Sequence, residues 1–439
     1  MGKQILVIGA GKSATVLINF LQKKLIKNNW YMVLADADEK LAATKWNNAP
    51  NGHSVGIDIL QKEQRTDLIQ KADIVISMLP AFLHFEVAKD CLTLGKALFT
   101  ASYVDENMQS IAAAIKEKGL LFICEMGLDP GIDHMSAMEL IDRIKAKNGK
   151  ITGFKSHCGG LIAPESDNNP WHYKISWNPR NIILAGKAGA LYLENGQEKA
   201  VDYTHIFENC GQIQVNNWGA LAYYPNRDSL SYIKTYQLEG LNNFVRTTLR
   251  HPAFCEAWNV IVQLGLTEET IHSKTYQTIA DWFEDQLTNP KILALWNKFA
   301  IISSIKKQLD YLEFDAKTQI PSEFKTNASI LQWILENKWA LAPTDKDAVV
   351  MMHEIDYELD GQTHQIQSSL VLKGVDHLQT AMATTVGLPL AMAAIAYLEG
   401  DLKLTGLHIP TIPALYQPIL EKLKEEGIVF YEATVGSHS

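Results

Sequence analysis

The sequence predicts an α/β protein in which a doubly wound parallel sheet is followed by a second α+β domain with a helical insertion. Up to about residue 124, short apolar runs alternate with amphipathic stretches, which is typical of parallel strands joined by helices. Beyond Lys150 the alternation gives way to short segments broken by Gly and Pro. We therefore assign residues 1–130 to a first domain, 131–385 to a second domain with its insertion at about 267–340, and 386–439 to a C-terminal segment.

Length and charge limit the possible functions. At 439 residues the chain is long for one hydrophobic core, so two or three domains are expected. A net charge of -9 argues against nucleic acid or an anionic membrane as a partner, because both favour a basic face. The 5 cysteines form no CxxC pair, which favours reduced thiols over disulfides or a zinc site. The apolar runs look too short to span a membrane and the N-terminus shows no signal-peptide pattern, so we expect a cytoplasmic protein.

The N-terminal strand leads into a Rossmann-type nucleotide motif. Gln4–Ile8 is predicted to be a buried strand, and a helix follows the motif. Gly9 permits a tight turn, Gly11 lets the backbone approach a pyrophosphate, and the small Ala14 lets the helix pack against the strand. The candidate cofactor-binding residues in this region are Gly9, Gly11, Lys12, Ser13, Ala14 and Asp36.

Asp36 closes the second predicted strand, Tyr31–Ala35, roughly 20 residues past the glycine motif, where an acidic residue meets the adenosine ribose hydroxyls. A carboxylate at this place repels a 2′-phosphate, so we expect NAD in preference to NADP. The alternative is an ordinary strand-to-helix turn followed by an exposed aspartate.

Further polar residues follow later strands of the predicted six-stranded sheet. The segments Ser77-Met-Leu-Pro80 and Ala101-Ser102-Tyr103 both come after a buried strand. Because ligands bind outside the carboxyl ends of parallel strands, we add Ser77, Leu79 and Pro80 to the cofactor site. Surface loops with small polar side chains are the alternative.

The stretch Gly127–His134 separates the alternating region from the rest of the chain. It follows the predicted strand Leu120–Cys124 and places Asp129 at the carboxyl end of that strand. Pro130 and the following glycine indicate a turn, and Asp133 is predicted to cap the next helix. The alternative is a turn in which both aspartates only cap.

The second domain contains several positive side chains in an acidic protein, namely Lys174, Arg180, Arg227, Arg246 and Arg250. Arginine pairs well with carboxylates, so these residues either form a carboxylate pocket or make structural salt bridges, and we favour Arg227 as a ligand contact. No histidine lies in a metal-like spacing, so no metal site is predicted. Ala348–Leu359 and His364–Leu372 are predicted to form a hairpin, and a long helical stretch is expected to kink or divide at Gly387-Leu-Pro389.

Several of these blocks, taken together, resemble the glutamate-forming saccharopine dehydrogenases, or saccharopine reductases. The matching segments span almost the whole chain and are Gly127–His134, His157–Glu165, Tyr173–Pro179, Tyr224–Leu230, Arg246–Arg250, Thr384–Pro389 and Gly406–Pro410. The resemblance implies that the first domain binds a nicotinamide nucleotide and that the second binds the substrate and forms a homodimer. It also implies that the C-terminal segment returns to the first domain.

Carried over position by position, the resemblance implies a saccharopine site formed by Ser102, Tyr103, Asp129, Cys158, Trp177, Arg227 and Thr248. A hydride would move between nicotinamide C4 and the carbon that bears the secondary amine. Water then splits the resulting imine into glutamate and 2-aminoadipate semialdehyde. Asp129 would hold the amine or guide water, while Tyr103 and Cys158 are the other candidates for proton transfer.

Two departures from the family pattern concern the substrate pocket: Thr247 replaces a common glycine, and His251 replaces a tyrosine. They leave open a related imino-acid substrate, such as a carboxyalkyl polyamine of the carboxynorspermidine type. A non-catalytic dinucleotide-binding regulatory protein is the alternative from another functional class.

Overall fold

The computed structural model describes residues 2–435, which divide into two compact units. The first unit runs from the N-terminus through Asn148 and includes Leu378–Val429. The second comprises Gly149–His377 and, at the C-terminal side, residues 430–435. The sequence placed the divisions after residues 130 and 385. The structure places the first division after Asn148, because the helix Ile132–Ala146 packs in the first unit. It places the second division after His377, because the whole helix Ala381–Glu399 packs in the first unit as well.

The elements follow one another in chain order with these bounds. The strands are β1 (Gln4–Ile8), β2 (Tyr31–Asp36), β3 (Gly52–Gly56), β4 (Ile74–Ser77), β5 (Ala97–Thr100), β6 (Leu121–Ile123), β7 (Lys150–Ile162), β8 (Ala190–Glu194), β9 (Gln197–Val201), β10 (Gly211–Val215), β11 (Gly219–Pro225), β12 (Arg227–Asp228), β13 (Asn243–Arg250), β14 (Asp347–Leu359), β15 (Gln362–Lys373), β16 (Gly406–His408) and β17 (Tyr431–Val435). The helices are α1 (Thr15–Asn28), α2 (Glu39–Trp46), α3 (Lys62–Lys71), α4 (His84–Leu94), α5 (Glu106–Ser110), α6 (Ala112–Glu117), α7 (Ile132–Ala146), α8 (Arg180–Ile183), α9 (Ser231–Thr235), α10 (Pro252–Gln263), α11 (Ile279–Leu287), α12 (Pro290–Phe299), α13 (Ser303–Tyr311), α14 (Asn327–Lys338), α15 (Ala381–Glu399) and α16 (Pro413–Glu425).

The first unit is built on a seven-stranded parallel sheet in the order β16-β6-β5-β4-β1-β2-β3. The strand order reverses beside β1, which lies between β4 and β2, so the carboxyl ends of β1 and β4 flank a topological switch point. The predicted doubly wound sheet is thus confirmed. The seventh strand, β16, pairs Gly406 with Leu121 of β6, so the C-terminal segment returns to this unit as far as Val429. Its last strand, β17, pairs instead with β15 of the second unit, so this expectation is confirmed only in part.

Helix α15 runs from Ala381 to Glu399 through Pro389 as one helix, so of the two predicted outcomes, a kink or a division, the division is wrong. An interior proline removes one hydrogen bond at a cost of about 3 kcal/mol, which the extensive burial of this helix offsets. A Cβ at Gly387 would lie 2.8 Å from the backbone nitrogen of Leu17, so the glycine permits close packing of α15 against α1.

Helix α15 also corrects the expectation about membrane-spanning length. It is 19 residues long, and its most apolar window has a mean hydropathy of 1.7, enough to cross a membrane by length and composition. However, 83% of that window is buried inside the protein, as in the core helix of a globular unit.

The second unit carries a mixed sheet whose main path is β10-β11-β13-β7-β14-β15-β17. Strands β7 and β13 run parallel, whereas β7 with β14 and β14 with β15 run antiparallel. The predicted hairpin is confirmed as β14 and β15, which turn at Asp360 and Gly361. The predicted insertion supplies α11 to α14, which pack with α10 around the buried indoles of Trp258, Trp282 and Trp339.

Candidate functional site

The glycine turn after β1 is shaped to leave room beside the backbone. Gly9 has φ +106, and a Cβ there would lie 2.8 Å from the carbonyl oxygen of Met78, so this position needs glycine. A Cβ at Gly11 would meet no heavy atom within 4 Å. Lys12–Ala14 then form a single 3₁₀ turn that leads into α1. The turn therefore exposes backbone at the start of a helix, as a phosphate cradle requires.

The carboxylate of Asp36 is fixed against this turn. Its Oδ2 accepts a hydrogen bond of 2.6 Å from the backbone N–H of Ala10, and its Oδ1 accepts one of 2.9 Å from the N–H of Asp38. Asp38 in turn caps α2 by accepting from the N–H of Leu41. A negative charge is thus held at the end of β2, beside the turn.

Three polar side chains meet at the carboxyl ends of β4 and β5. Ser77 Oγ lies 2.8 Å from His84 Nδ1, and His84 Nε2 lies 2.7 Å from Ser102 Oγ. Thr100 Oγ1 accepts a hydrogen bond of 3.2 Å from the backbone N–H of Ser102. The predicted cofactor residue Ser77 and the predicted substrate residue Ser102 are therefore joined through an imidazole that the sequence interpretation missed. Leu79 is half-buried and Pro80 exposed in the loop after β4.

Tyr103 and Asp129 are also brought together in the first unit. The phenolic O–H of Tyr103 donates to Asp129 Oδ1 over 3.3 Å, and both side chains are half-buried. Asp129 precedes a cis peptide bond to Pro130. Gly131 has φ +148, and a Cβ there would lie 2.1 Å from the carbonyl oxygen of Gly127, so the two glycines close this loop tightly.

Asp133 does not cap α7 as predicted. Gly131 occupies the N-cap position without a side-chain cap, and Asp133 lies one residue inside the helix. Its Oδ1 accepts a hydrogen bond of 2.6 Å from the backbone N–H of Gly131, so the carboxylate braces the loop instead. Glu125, which has φ +57, accepts from the N–H of Val104 and lies 2.8 Å from His134 Nε2. These buried groups tie the segment that carries Asp129 to the segment that carries Tyr103.

In the second unit, two predicted substrate residues are neighbours on one sheet face. Thr248 of β13 is paired with Cys158 of β7 on one side and with Tyr224 of β11 on the other. Because side chains alternate along a strand, Arg246 and Arg250 share this face with Thr248. Tyr224 is buried, and burial raises the pKa of its phenol to about 12, so it is protonated at neutral pH.

Arg250 is a buried cation in this row, with a side chain only 4% exposed. Its guanidinium lies 5.3 Å from the ring centroid of Tyr173 and donates through Nη1 to its neighbour's carbonyl, Leu249. Within residues 2–435, its Nε has no hydrogen-bond partner and no carboxylate forms a salt bridge with it. Tyr173 also accepts, through its Oη, a hydrogen bond of 3.2 Å from the indole N–H of Trp177. Trp177 and Arg250 therefore both interact with the side chain of Tyr173.

The other cations are placed differently. Lys174 forms a buried salt bridge of 2.6 Å with Asp345, and Arg180 pairs with Glu269, so both fit the structural alternative. Arg227 is exposed, has φ +53 and follows Asn226, whose backbone N–H donates to the carbonyl of Arg246. A bulky residue in this left-handed conformation marks a turn that the protein maintains at some cost.

Thr247 and His251, the two departures from the family pattern, do not lie beside Thr248 on its sheet face: Thr247 faces away from it, and His251 caps a helix. Thr247 lies on the opposite sheet face, where its Oγ1 is 2.7 Å from Nδ1 of His157. His251 accepts, through Nδ1, a hydrogen bond of 3.2 Å from the backbone N–H of Ala253 at the start of α10, and it stacks on His172. Neither side chain therefore replaces a group in the row formed by Cys158 and Thr248.

Comparisons with known proteins agree with this architecture. The family model described as saccharopine dehydrogenase NADP binding domain matches residues 5–123, and the saccharopine dehydrogenase C-terminal domain matches residues 127–428. The saccharopine dehydrogenase [NADP(+), L-glutamate-forming] of Saccharomyces cerevisiae is 30% identical over 99% of this chain and 100% of its own length. The apo structure of the L-Glu-forming saccharopine dehydrogenase from the same yeast has a TM-score of 0.89, 27% identity, and coverage of 99% of this chain and 100% of that one.

Longer relatives match as well. Alpha-aminoadipic semialdehyde synthase of Arabidopsis thaliana is 31% identical over 98% of this chain, but this chain spans only 44% of that protein. A homospermidine synthase from Legionella pneumophila shares the fold alone, with a TM-score of 0.59 and 10% identity over 99% of this chain and 92% of that one. Two family models together cover almost the whole sequence, and the chain therefore belongs to the saccharopine dehydrogenase family.

Proposed function

We propose that this protein is an NAD(P)-dependent oxidoreductase that interconverts saccharopine with L-glutamate and 2-aminoadipate 6-semialdehyde by hydride transfer at the C–N bond. The observation that carries the proposal is the Tyr103–Asp129 hydrogen bond at the carboxyl edge of the parallel sheet, in a member of this family. A carboxylate there is suited to a secondary amine, since it stabilises the ammonium form and can accept its proton. The proposed substrate adds three carboxylates, which require cationic partners.

The first unit is suited to hold the dinucleotide. Gly9 and Gly11 shape the turn, the open space beside Gly11 leaves room for a pyrophosphate, and Asp36 offers a carboxylate for ribose hydroxyls. Lys12, Ser13 and Ala14 continue from that turn. Ser77 ends β4, and Leu79 and Pro80 lie in the loop that follows it, beside the switch point. When bound, the nicotinamide supplies the hydride acceptor or donor. Every other contribution proposed below comes from side chains of this chain.

The chemical roles follow from the contacts of each side chain. Asp129 holds the substrate amine and its proton, and Tyr103 fixes the orientation of the Asp129 carboxylate through its O–H. Cys158, which is buried, and its half-buried strand neighbour Thr248 are two further proposed substrate contacts. Ser102, Trp177 and Arg227 complete the proposed contacts. Most of the acceleration then comes from positioning and electrostatic stabilisation.

Arg250 is our additional candidate for a substrate carboxylate. A buried charge without a paired carboxylate is costly, because transfer from water costs several kcal/mol per ion. Its aromatic neighbours Tyr173 and Phe254 compensate only in part, since cation–π contacts contribute roughly 0.5–2 kcal/mol. A substrate carboxylate would supply the missing partner with bidentate geometry.

A direct assay tests the proposed reaction. Purified protein should form NADH or NADPH, recorded at the absorbance of the reduced nicotinamide, when saccharopine is added. Carboxynorspermidine, which carries fewer carboxylates, should be turned over at least about tenfold less efficiently if the cationic side chains contribute as proposed. A preference for carboxynorspermidine would favour the related imino-acid dehydrogenase instead. Dinucleotide binding without turnover of either substrate would favour the non-catalytic regulatory alternative.

Cofactor preference is a separate prediction. The printed names of the matching family model and of the fungal relatives favour NADP, whereas the fixed carboxylate of Asp36 favours NAD. We expect kcat/KM for NAD to exceed that for NADP, because a 2′-phosphate would lie close to this negative charge. Asp36→Asn keeps an acceptor for the Ala10 N–H but removes the charge. The ratio of kcat/KM for NAD to kcat/KM for NADP should therefore fall by about tenfold or more, which corresponds to ~1.4 kcal/mol.

The matched control for this prediction is Asp58→Asn, which removes an exposed carboxylate of the same unit and should leave the ratio unchanged. A wild-type preference for NADP would contradict the proposed role of Asp36. A homodimer and a cytoplasmic location also stay predictions, and sedimentation analysis would test the first of them.

A further inference from the structure

The imidazole of His84 lies at the first residue of α4 and joins two strand ends of the first unit. Its Nδ1 is 2.8 Å from the hydroxyl oxygen of Ser77 at the end of β4. Its Nε2 is 2.7 Å from the hydroxyl oxygen of Ser102, just beyond β5. Thr100 Oγ1 lies farther from the ring, at 3.4 and 3.5 Å from the two nitrogens, and already accepts from the N–H of Ser102. The two serines are therefore the main partners of the ring.

His84 is uncharged at neutral pH. Its side chain is 5% exposed, and burial lowers its pKa to about 4, while the nearby carboxylate of Asp105 acts in the opposite direction. A neutral imidazole carries one N–H donor and one bare nitrogen acceptor. One serine must therefore donate to the ring, and the other must accept from it.

The burial of Ser77 decides which serine donates. Ser77 is 0% exposed, and the bond to His84 Nδ1 is the one side-chain hydrogen bond of its hydroxyl within residues 2–435. A buried hydroxyl hydrogen without an acceptor would cost about 1–3 kcal/mol, so Ser77 donates to Nδ1. The proton of the ring is then on Nε2, which donates to Ser102 Oγ. Ser102, being half-buried, keeps its own hydroxyl hydrogen for a partner outside this chain of bonds.

We propose that His84 is a positioning residue that, as its Nε2–H tautomer, makes Ser102 a hydrogen-bond donor toward a carboxylate of the amino-acid substrate. This inference rests on the proposed function for the identity of the ligand. With its oxygen already engaged by Nε2–H, the Ser102 hydroxyl favours an anionic acceptor over the substrate ammonium, which is a donor. The same chain of bonds fixes Ser77 beside the nucleotide crevice, so one ring sets two hydroxyl orientations.

Nuclear magnetic resonance of the folded protein, with ¹⁵N-labelled histidine, tests the tautomer without any turnover. The His84 resonances, assigned by their absence in His84→Gln, should show a protonated Nε2 and an unprotonated Nδ1 at pH 7. A ring protonated on Nδ1, or on both nitrogens, would overturn the proposal. This result does not depend on the substrate, so it stands even if saccharopine is not turned over.

Kinetics test the consequence for substrate binding. His84→Gln can keep an N–H donor near the Nε2 position, whereas His84→Met cannot. We expect His84→Met to raise KM for saccharopine about tenfold with kcat changed much less, and His84→Gln to restore most of the loss. In a Ser102→Ala background, which has no hydroxyl to orient, the two His84 variants should have equal KM.

The double variants separate positioning from general structural support. Equal effects of His84→Met with and without Ser102 would mean that the ring acts only through packing, and would refute the proposal. The dissociation constant for NAD and the unfolding midpoint of each variant show whether the substitution has disturbed the nucleotide site or the fold. A lower or unchanged KM for saccharopine in His84→Met would also refute the positioning role of His84. Failure of the wild type to use saccharopine would refute the proposed function alone.

Discussion

Replacing Asp129 by alanine should lower kcat/KM for saccharopine by about 10²- to 10⁴-fold, the range typical of a lost acid–base group. The carboxylate accepts a hydrogen bond from Tyr103 and lies in a loop closed by Gly127 and Gly131, so its position is fixed before substrate arrives. Asp129→Asn retains the size and one acceptor oxygen but removes the charge. It should therefore lose nearly as much activity as the alanine variant.

Dinucleotide binding distinguishes this loss from misfolding. The dissociation constant for NADH, measured by its nicotinamide fluorescence, or for NAD, measured by calorimetry, should change less than about threefold in both variants, because the glycine turn and Asp36 are untouched. Asp67→Ala, which removes an exposed carboxylate on α3, is the matched control and should keep full activity. Turnover by Asp129→Ala at the wild-type rate would refute the assignment of this residue.

Arg250→Met should raise KM for saccharopine by about 30- to 5,000-fold, equivalent to the ~2–5 kcal/mol of a truncated buried charge pair. Methionine approximates the length of the arginine stem and suits the aromatic surroundings of Tyr173 and Phe254. Replacing a buried charge by an apolar side chain is often neutral or stabilising, so the unfolding midpoint in urea should stay the same or rise.

The opposite pattern would contradict the proposed role of Arg250. A lower unfolding midpoint with an unchanged KM would show that the guanidinium serves the core through its cation–π contacts and its bond to Leu249. Lys174→Met is the matched comparison, because Lys174 is also buried but already paired with Asp345. That variant leaves a buried carboxylate unpaired, so it should lower stability by ~3–5 kcal/mol.

Local pattern predicted much of the fold and the glycine turn after β1, whose role as a nucleotide site stays a prediction. Gly9 and Gly11 are identified by their spacing after a buried strand, and Asp36 by its distance from them, because this motif lies within one strand–helix–strand unit. The alternation of apolar runs likewise predicted parallel strands with crossovers. In the second unit, Cys158 and Thr248 are paired although they lie far apart in the chain. Periodicity did not single out either residue, and both were predicted as site residues from the family resemblance.

Other features depend on tertiary contacts that local pattern does not contain. His84 gives no motif of its own, although its place after the β4 loop, at the same sheet edge as Ser77, is a signal that could have identified it. Asp133 was misassigned as a cap because the sequence does not reveal that Gly131 adopts φ +148. The helix that passes through Pro389 is continuous because its burial outweighs one lost hydrogen bond.

The route of the chain has a consequence for biosynthesis. The first unit needs β16 and α15, which lie more than 230 residues after Asn148, and the second needs β17, which follows Val429. A chain emerging from the ribosome can therefore complete neither sheet before β16 and β17 have been released. Domains usually fold as units in the order of synthesis, but here β6 lacks its partner β16 while Gly149–His377 of the second unit is made. The open edges β6 and β15 are thus the surfaces of the nascent chain that most need protection from aggregation.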